Sequence, residues 1–480
     1  MTEPSPIVIL GAGPAGLTAA WRLAEQGRRV IVIEKDDMVG GMGKTMTVGP
    51  YKVDFGPHTF HVRDTDESRR ILQTILPLFG EMPPPQHKRG TRVLLQGKYY
   101  SYPLQLTELL FGVNPGLTLR ILWDYARANM RLRRVPLDGS ASFEAWGVQS
   151  LGRTLYELCF GRYSRKVWGL PTSEISSKQA QRVAKLSLKN IVLRSLGIKS
   201  DPQTYFKSYL YPEQGIGVLY ERMAQRLREC GGVLRLNTTL DRVELEQGSV
   251  ARIVVRELDG RLDTIACEGV LSTIPLPILA PRIHPPLDRD VVEHTRSLRY
   301  RSLRFLYLIL KLDRASDFHW CYLLDDEFRC NRVSEQKNVS RAMMPDGQTV
   351  LCFETSCNLG DETWNASEEA LVRWVLEDLR RMGIVKDASV VTGHFERRID
   401  YAYPVYDLAF EGHLFGALRG LHRIPNIMTL GRHGLFLNNS MDDNVLLGIQ
   451  VSEFLASHSW NATAWFERMA AFMRLRYQGK

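Results

Sequence analysis

Four consecutive apolar residues, Ile-Val-Ile-Leu at 7–10, stand between Pro6 and Gly11. A short continuous apolar run closed by a glycine reads as a strand buried on both faces. From Leu17 to Gln26 the apolar positions recur at helical spacing, and Gly27 ends them. The run Arg-Arg-Val-Ile-Val-Ile-Glu at 28–34 is then a second buried strand, so the first 34 residues predict a parallel β–α–β unit. The same pattern returns downstream. A glycine loop leads into an amphipathic helix that runs to Cys230, Gly231-Gly232 stops it, and a strand follows. Gly269–Pro275 and Asn426–Leu430 read as further buried strands, and Asn444–Ala456 as a helix. Ser440 and Asp443 stand ahead of that helix at the spacing of a capping box. Residues from about 104 to 200 are mostly helical in pattern, and those from about 286 to 394 mix strand and helix.

The turn of the first unit carries chemistry. Gly11, Gly13 and Gly16 form G-x-G-x-x-G between strand and helix, with Pro14 and Ala15 inside the motif. Such glycines serve a tight turn, close backbone approach to a diphosphate, and close packing of helix on strand. The diphosphate would rest on the free N–H groups of the helix N-terminus. Glu34, followed by Lys35, ends the second strand 21 positions after Gly13, where a carboxylate accepts from ribose hydroxyls. A carboxylate there disfavours a 2′-phosphate. The motif, both strands and the terminal acid agree on a bound dinucleotide.

Composition narrows the picture only a little. The 480 residues exceed one core, at about 150 residues per domain. A net charge of +9 fits an acidic small molecule or an anionic surface, and gives no indication of nucleic acid. The seven cysteines include no C-x-x-C, which points to a reducing compartment and away from structural zinc. The chain shows neither an N-terminal signal pattern nor 18 uninterrupted apolar residues. The expected location is therefore cytoplasmic, with peripheral contact at the inner face of a membrane left open. That contact concerns Leu117–Leu137, whose apolar residues recur at helical spacing before Arg127, Arg131, Arg133 and Arg134. It reads either as a solvated helix end with dipole-favoured cations or as an interfacial helix meeting anionic lipid or a lipid-linked diphosphate.

Asp-Phe-Gly-Pro-His-Thr-Phe-His at 54–61 places His58 and His61 three apart behind Gly56-Pro57. They admit three readings: metal ligands, structural histidines, or the wall of a cofactor pocket. No neighbouring carboxylate or thiol cluster completes a metal site, so no metal is expected.

The Gly40-Gly41 doublet after the second strand, followed by D-x-G-x-H, resembles the large FAD family of amine oxidases, protoporphyrinogen oxidases and UDP-galactopyranose mutases. The resemblance implies FAD as cofactor, with Gly40 and Gly41 letting backbone run along its ribityl-diphosphate. Gly-Pro-His-Thr-Phe-His resembles a mutase stretch that lies against the isoalloxazine ring, which implies that Gly56, His58 and His61 line the flavin. Ser150–Ser176 resembles the mutases' helical segment, with Arg153, Tyr156, Lys166 and Trp168 on matching positions. Leu298–Phe305 resembles a mutase strand that includes Arg301, and Cys330–Ser340 another that places Arg332 where the mutases hold a substrate diphosphate. Thr429–Leu455 resembles their C-terminal flavin segment, with Gly431, Arg432, Met441 and Asp442 matching. Where that segment carries two tyrosines in the mutases, this chain has Phe436 and Asn438.

The expected fold is α/β: a discontinuous Rossmann-like FAD-binding domain (1–103, 205–285 and 395–460), an inserted helical lobe (104–204), a mixed-sheet substrate-binding region (286–394) and a C-terminal helix (461–480). The resemblance implies an FAD-dependent oxidoreductase acting on a sugar- or diphosphate-bearing small molecule, such as a nucleotide sugar or a lipid-linked sugar. His58, His61, Arg332, Arg432 and Trp168 are the candidate catalytic residues. The alternatives are a non-redox pyranose/furanose mutase using reduced FAD, and a flavin-binding protein without catalysis. Arg301, Arg332 and Arg432 weigh against the last, since buried arginines require anionic partners.

Overall fold

The computed structural model describes residues 4–130, 135, 139–182 and 208–477. Its first sheet has five parallel strands in the order Val233–Arg235, Val30–Ile33, Ile7–Leu10, Gly269–Ser272, Ile427–Thr429. By chain position that is third, second, first, fourth, fifth, the doubly wound order of dinucleotide-binding domains. Ile7–Leu10 at its centre is wholly buried. The helix Pro14–Glu25 packs against both Gly217–Glu229 and Met441–Ser457. The sheet order reverses on either side of Ile7–Leu10, and the turns after it and after Gly269–Ser272 open a crevice at the strands' carboxyl ends.

The second large sheet has seven strands in the order Val391–Pro404, Tyr300–Leu310, Thr349–Cys357, Arg332–Glu335, Trp320–Leu323, Thr91–Leu95, Lys98–Ser101. Only the Trp320–Leu323/Thr91–Leu95 pair is parallel. Strand pairing therefore carries residues 91–101 into this sheet, although the sequence places them in the 1–103 segment. Val391–Pro404 likewise runs through the expected boundary at 394/395. A strand's alternation states which face is buried and says nothing of which sheet it will pair with.

The helical lobe contains Leu106–Gly112, Pro115–Asn129, Phe143–Leu151, Arg153–Tyr156 and Arg162–Trp168, the last two joined by a π-turn at Glu157–Gly161. It has its own core, which includes Leu109, Ile121, Phe143, Trp146 and Tyr156. Arg131, Arg133 and Arg134 lie outside the described residues, as does the stretch 183–207. A helix at Ala462–Tyr477 follows the first domain. Among the described residues no helix is long and apolar enough to cross a membrane.

Candidate functional site

The crevice is an elongated cavity of about 690 Å³. Gly11, Gly13, Pro14, Ala15, Glu34 and Lys35 line one part, Gly41–Lys44 run beside them, and Gly431, Arg432, Met441 and Asn444 line another. Phe55 and His58 also face it. The glycine loop is shaped so that side chains would close it. A Cβ on Gly16 would lie 2.0 Å from the Gly11 carbonyl oxygen, and one on Gly41 would lie 3.3 Å from Gly13 Cα. Gly13 itself faces open space, at the N-cap of the helix Pro14–Glu25. Free N–H groups at a helix start, beside backbone stripped of side chains, form a cradle for a diphosphate.

Glu34 has a second task that its position in sequence does not reveal. Its Oε2 accepts from Ala12 N–H at 2.7 Å and its Oε1 from Asp36 N–H at 3.0 Å. The carboxylate thus ties the glycine loop to the end of the second strand. Burial pushes its pKa up, and these two backbone donors oppose that rise.

At the other end of the cavity, the helix Met441–Ser457 points its first turn inward through Met441 and Asn444. The capping box forms as expected: Ser440 N–H donates to Asp443 Oδ2 at 3.0 Å, and the Ser440 hydroxyl takes the N3 backbone N–H. Asp442 does not line the cavity. It is ion-paired with Arg63 at 3.1 Å, and burial, with Asp443 adding, pushes its carboxyl up to about 6.

Tyr403 gathers three of the candidate catalytic residues. Trp168 meets its ring edge-on with centroids 6.2 Å apart, and the Arg432 guanidinium lies 5.3 Å from its centre. Arg432 also donates to the Asn439 carbonyl at 2.5 Å. Arg332 feels the field of Tyr403 as well, but its principal partner is Glu354. Burial holds the His58 ring at about 3, with Arg332 and Arg432 adding to the effect, so the imidazole is neutral at pH 7.

Arg332 departs from expectation. Its Nε and Nη2 donate to the two carboxylate oxygens of Glu354 at 2.6 and 2.7 Å, a bidentate pair across neighbouring strands. Glu354 in turn lies against Gly56, where a Cβ would sit 2.6 Å from its Oε1. Gly56 therefore serves the approach of a carboxylate, at a φ of +74°. Arg301 is likewise satisfied inside the protein: it donates to the Val167 carbonyl at 2.8 Å and to Asn358 Oδ1. Arg332 thus finds its anionic partner within the protein, and Arg301 is held by neutral acceptors.

His61 pairs with Tyr209 in a three-stranded sheet and does not line the cavity, and neither do Gly16, Gly40 and Trp168. Lys35 faces the cavity and is ion-paired with Asp400 at 3.8 Å. Phe436 is buried at a φ of +50° and packs edge-on against Tyr300, and the Asn438 amide donates to the Pro404 carbonyl at 2.8 Å. Among the described residues no group of three His, Cys, Asp or Glu side chains is placed to hold a metal.

Sequence reasoning misses Glu354, Tyr403 and Asp54. Asp54 accepts from Thr45 Oγ1 at 2.5 Å and from Tyr211 OH at 2.6 Å, and burial pushes its carboxyl up to about 7. Its backbone is held by Gln336 and Tyr307, which fixes the start of the Gly-Pro-His loop. The signal available was an acid directly ahead of Phe-Gly-Pro at the end of the strand Tyr51–Asp54.

The glycine cradle, the inward helix start and the doubly wound sheet define a flavin-dinucleotide protein. Residues 14–406 match the family of flavin containing amine oxidoreductases, and the chain belongs to that family. A UDP-galactopyranose mutase of Mycoplasma pneumoniae is 28% identical over 187 residues, which are 38% of this chain and 44% of that protein. The neurosporene-forming phytoene desaturase of Rhodobacter capsulatus is 25% identical over 279 residues, 53% of this chain and 49% of that protein. The chain thus spans less than half the length of these curated relatives. A reduced UDP-galactopyranose mutase superposes with a TM-score of 0.80 at 18% identity, covering 96% of each chain. Putrescine oxidase bound to putrescine superposes at 0.63, also at 18% identity, covering 95% of this chain and 100% of that one. At such identity the likeness is one of fold. FAD is the cofactor of this chain.

Proposed function

We propose that the protein is an FAD-dependent oxidoreductase acting on a small molecule that carries a sugar or a diphosphate. Gly11, Gly13 and the start of helix Pro14–Glu25 hold the cofactor diphosphate, and Glu34 with Lys35 holds the ribose. Gly41, Gly431, Arg432 and Met441 border the remainder of the cofactor, and His58 flanks its reacting end. When bound, FAD supplies hydride acceptance from a C–H bond beside a hydroxyl or amine. The chain orients that bond beside Arg432, which is itself seated over the Tyr403 ring, and keeps His58 neutral. The observation that favours redox chemistry over isomerisation is the Arg332–Glu354 pair. It commits to a carboxylate the cation that the mutase resemblance gives to a nucleotide-sugar diphosphate, while Asn438 bonds the Pro404 carbonyl.

The mutase reading draws support from the 0.80 superposition over 96% of both chains. The seven cysteines, all free thiols, support the cytoplasm as the compartment. The test uses oxidised holoprotein without oxygen, mixed in turn with nucleotide sugars, free sugars and primary amines, with flavin absorbance and product mass followed. Bleaching together with a product two hydrogens lighter is the expected result. An equal-mass product formed only after prior reduction establishes the mutase. Bound FAD with no reaction across the panel favours the non-catalytic reading.

A further inference from the structure

The helix Pro115–Asn129 carries two apolar faces, and only one of them is packed. Its inward side places Ile121 and Ala128 in the lobe, where Asp124 accepts from Thr154 N–H at 3.1 Å. The opposite side shows Leu119, Leu122, Trp123, Ala126 and Met130, spaced i, i+3, i+4, i+7 and i+11 along one stripe. Leu119 is 69%, Trp123 68% and Met130 73% exposed. Phe111, 91% exposed, extends the stripe, because Thr118 Oγ1 donates to the neighbouring Leu110 carbonyl at 2.7 Å. A helix on a water-facing surface normally turns polar residues outward, and a contiguous apolar stripe there marks a contact surface.

Charge identifies the contact. Arg120 and Arg127 flank the stripe on one side, exposed and without an ion pair to any described residue. Lys98 stands at its Phe111 end, donating to the Gly112 carbonyl. The one acid within the helix, Asp124, is engaged inward by Thr154. Apolar side chains with an aromatic among them and cations at the border are the pattern of a helix lying in a lipid interface. Two copies of this face meeting with their helices antiparallel about a two-fold axis would set the Arg120–Arg127 edges beside each other, which disfavours that association.

We infer that the stripe Phe111, Leu119, Leu122, Trp123, Met130, with Arg120 and Arg127, docks the helical lobe in the plane of an anionic phospholipid membrane. The same lobe packs Trp168 against Tyr403 of the strand Val391–Pro404, a contact apart from the exposed stripe. This inference holds whichever substrate the enzyme takes.

The test is flotation of the full-length holoprotein with vesicles of phosphatidylcholine alone and of phosphatidylcholine mixed with phosphatidylglycerol. The protein is expected to float with the anionic vesicles and to be released by salt. Arg120→Gln with Arg127→Gln lowers that partitioning about 30-fold. Leu119→Ser with Trp123→Ser abolishes it while flavin content and the unfolding midpoint stay as in the parent, since both side chains are exposed. Failure to float with either vesicle overturns the inference. So does equal flotation of the serine variant, or a concentration-dependent dimer that this variant dissolves.

Discussion

Replacing Glu34 by alanine should damage the empty protein as well as its hold on FAD. The carboxylate is buried and accepts two backbone N–H groups, Ala12 at 2.7 Å and Asp36 at 3.0 Å. Hydrogen bonds to a charged group contribute about 1.5–3 kcal/mol each, so their joint loss approaches about 3–6 kcal/mol. That is a large part of the about 5–15 kcal/mol that holds a domain folded. The ribose contact adds a loss of about one to two decades in FAD affinity. The assay is urea unfolding of the apoprotein, followed by circular dichroism, beside FAD titration by quenching of flavin fluorescence. Glu34→Gln keeps one acceptor oxygen and should fall between parent and alanine variant in both measurements. An apoprotein midpoint unchanged in Glu34→Ala would refute the loop-tying role, whatever happened to the cofactor.

Arg332→Ala should destabilise the fold by about 3–5 kcal/mol, because it leaves the Glu354 carboxylate buried and unpaired; Arg332→Met with Glu354→Met should recover most of that. A variant of normal stability whose substrate affinity alone drops would instead make Arg332 a substrate cation. The Asp54 carboxyl, raised from 3.8 to about 7, takes up protons on folding, so its contribution is complete below about pH 4 and is lost as pH rises through about 7. Relative to Asp54→Asn, the parent should lose on the order of 4 kcal/mol across that window in urea midpoints taken at stepped pH; parallel curves for the two proteins would contradict the assignment. Gly16→Ala places a Cβ 2.0 Å from the Gly11 carbonyl oxygen and should yield protein depleted of FAD; full flavin occupancy after dialysis would show that the loop tolerates the shift.

Local pattern made the dinucleotide half of the fold legible. Ile7–Leu10 and Gly269–Ser272 are apolar runs ended by glycine or a turn, and the helix start at Ser440 carries its own capping residues. What the sequence could not supply depends on register. Arg332 and Glu354 stand 22 residues apart and become partners only once two antiparallel strands are aligned. The same holds for Asp54 and Tyr211, and for residues 91–101, whose alternation fits either large sheet. Leu117–Leu137 was legible as a candidate interfacial helix, but which of its faces stands exposed was not. A helix with apolar residues on most of its circumference does not declare which face packs.

The charges around His58 explain why a neutral ring belongs there. Arg332 and Arg432 both raise the cost of protonating it, and burial raises that cost further. Glu354 balances Arg332, while Arg432 lies over the ring of Tyr403 and donates to the Asn439 carbonyl. A protonated His58 would set another positive charge beside these two guanidinium groups and leave the imidazole without an acceptor nitrogen. Held at about 3, it retains one donor and one acceptor across the whole working range of pH, so orientation at this wall of the cavity does not change with proton concentration.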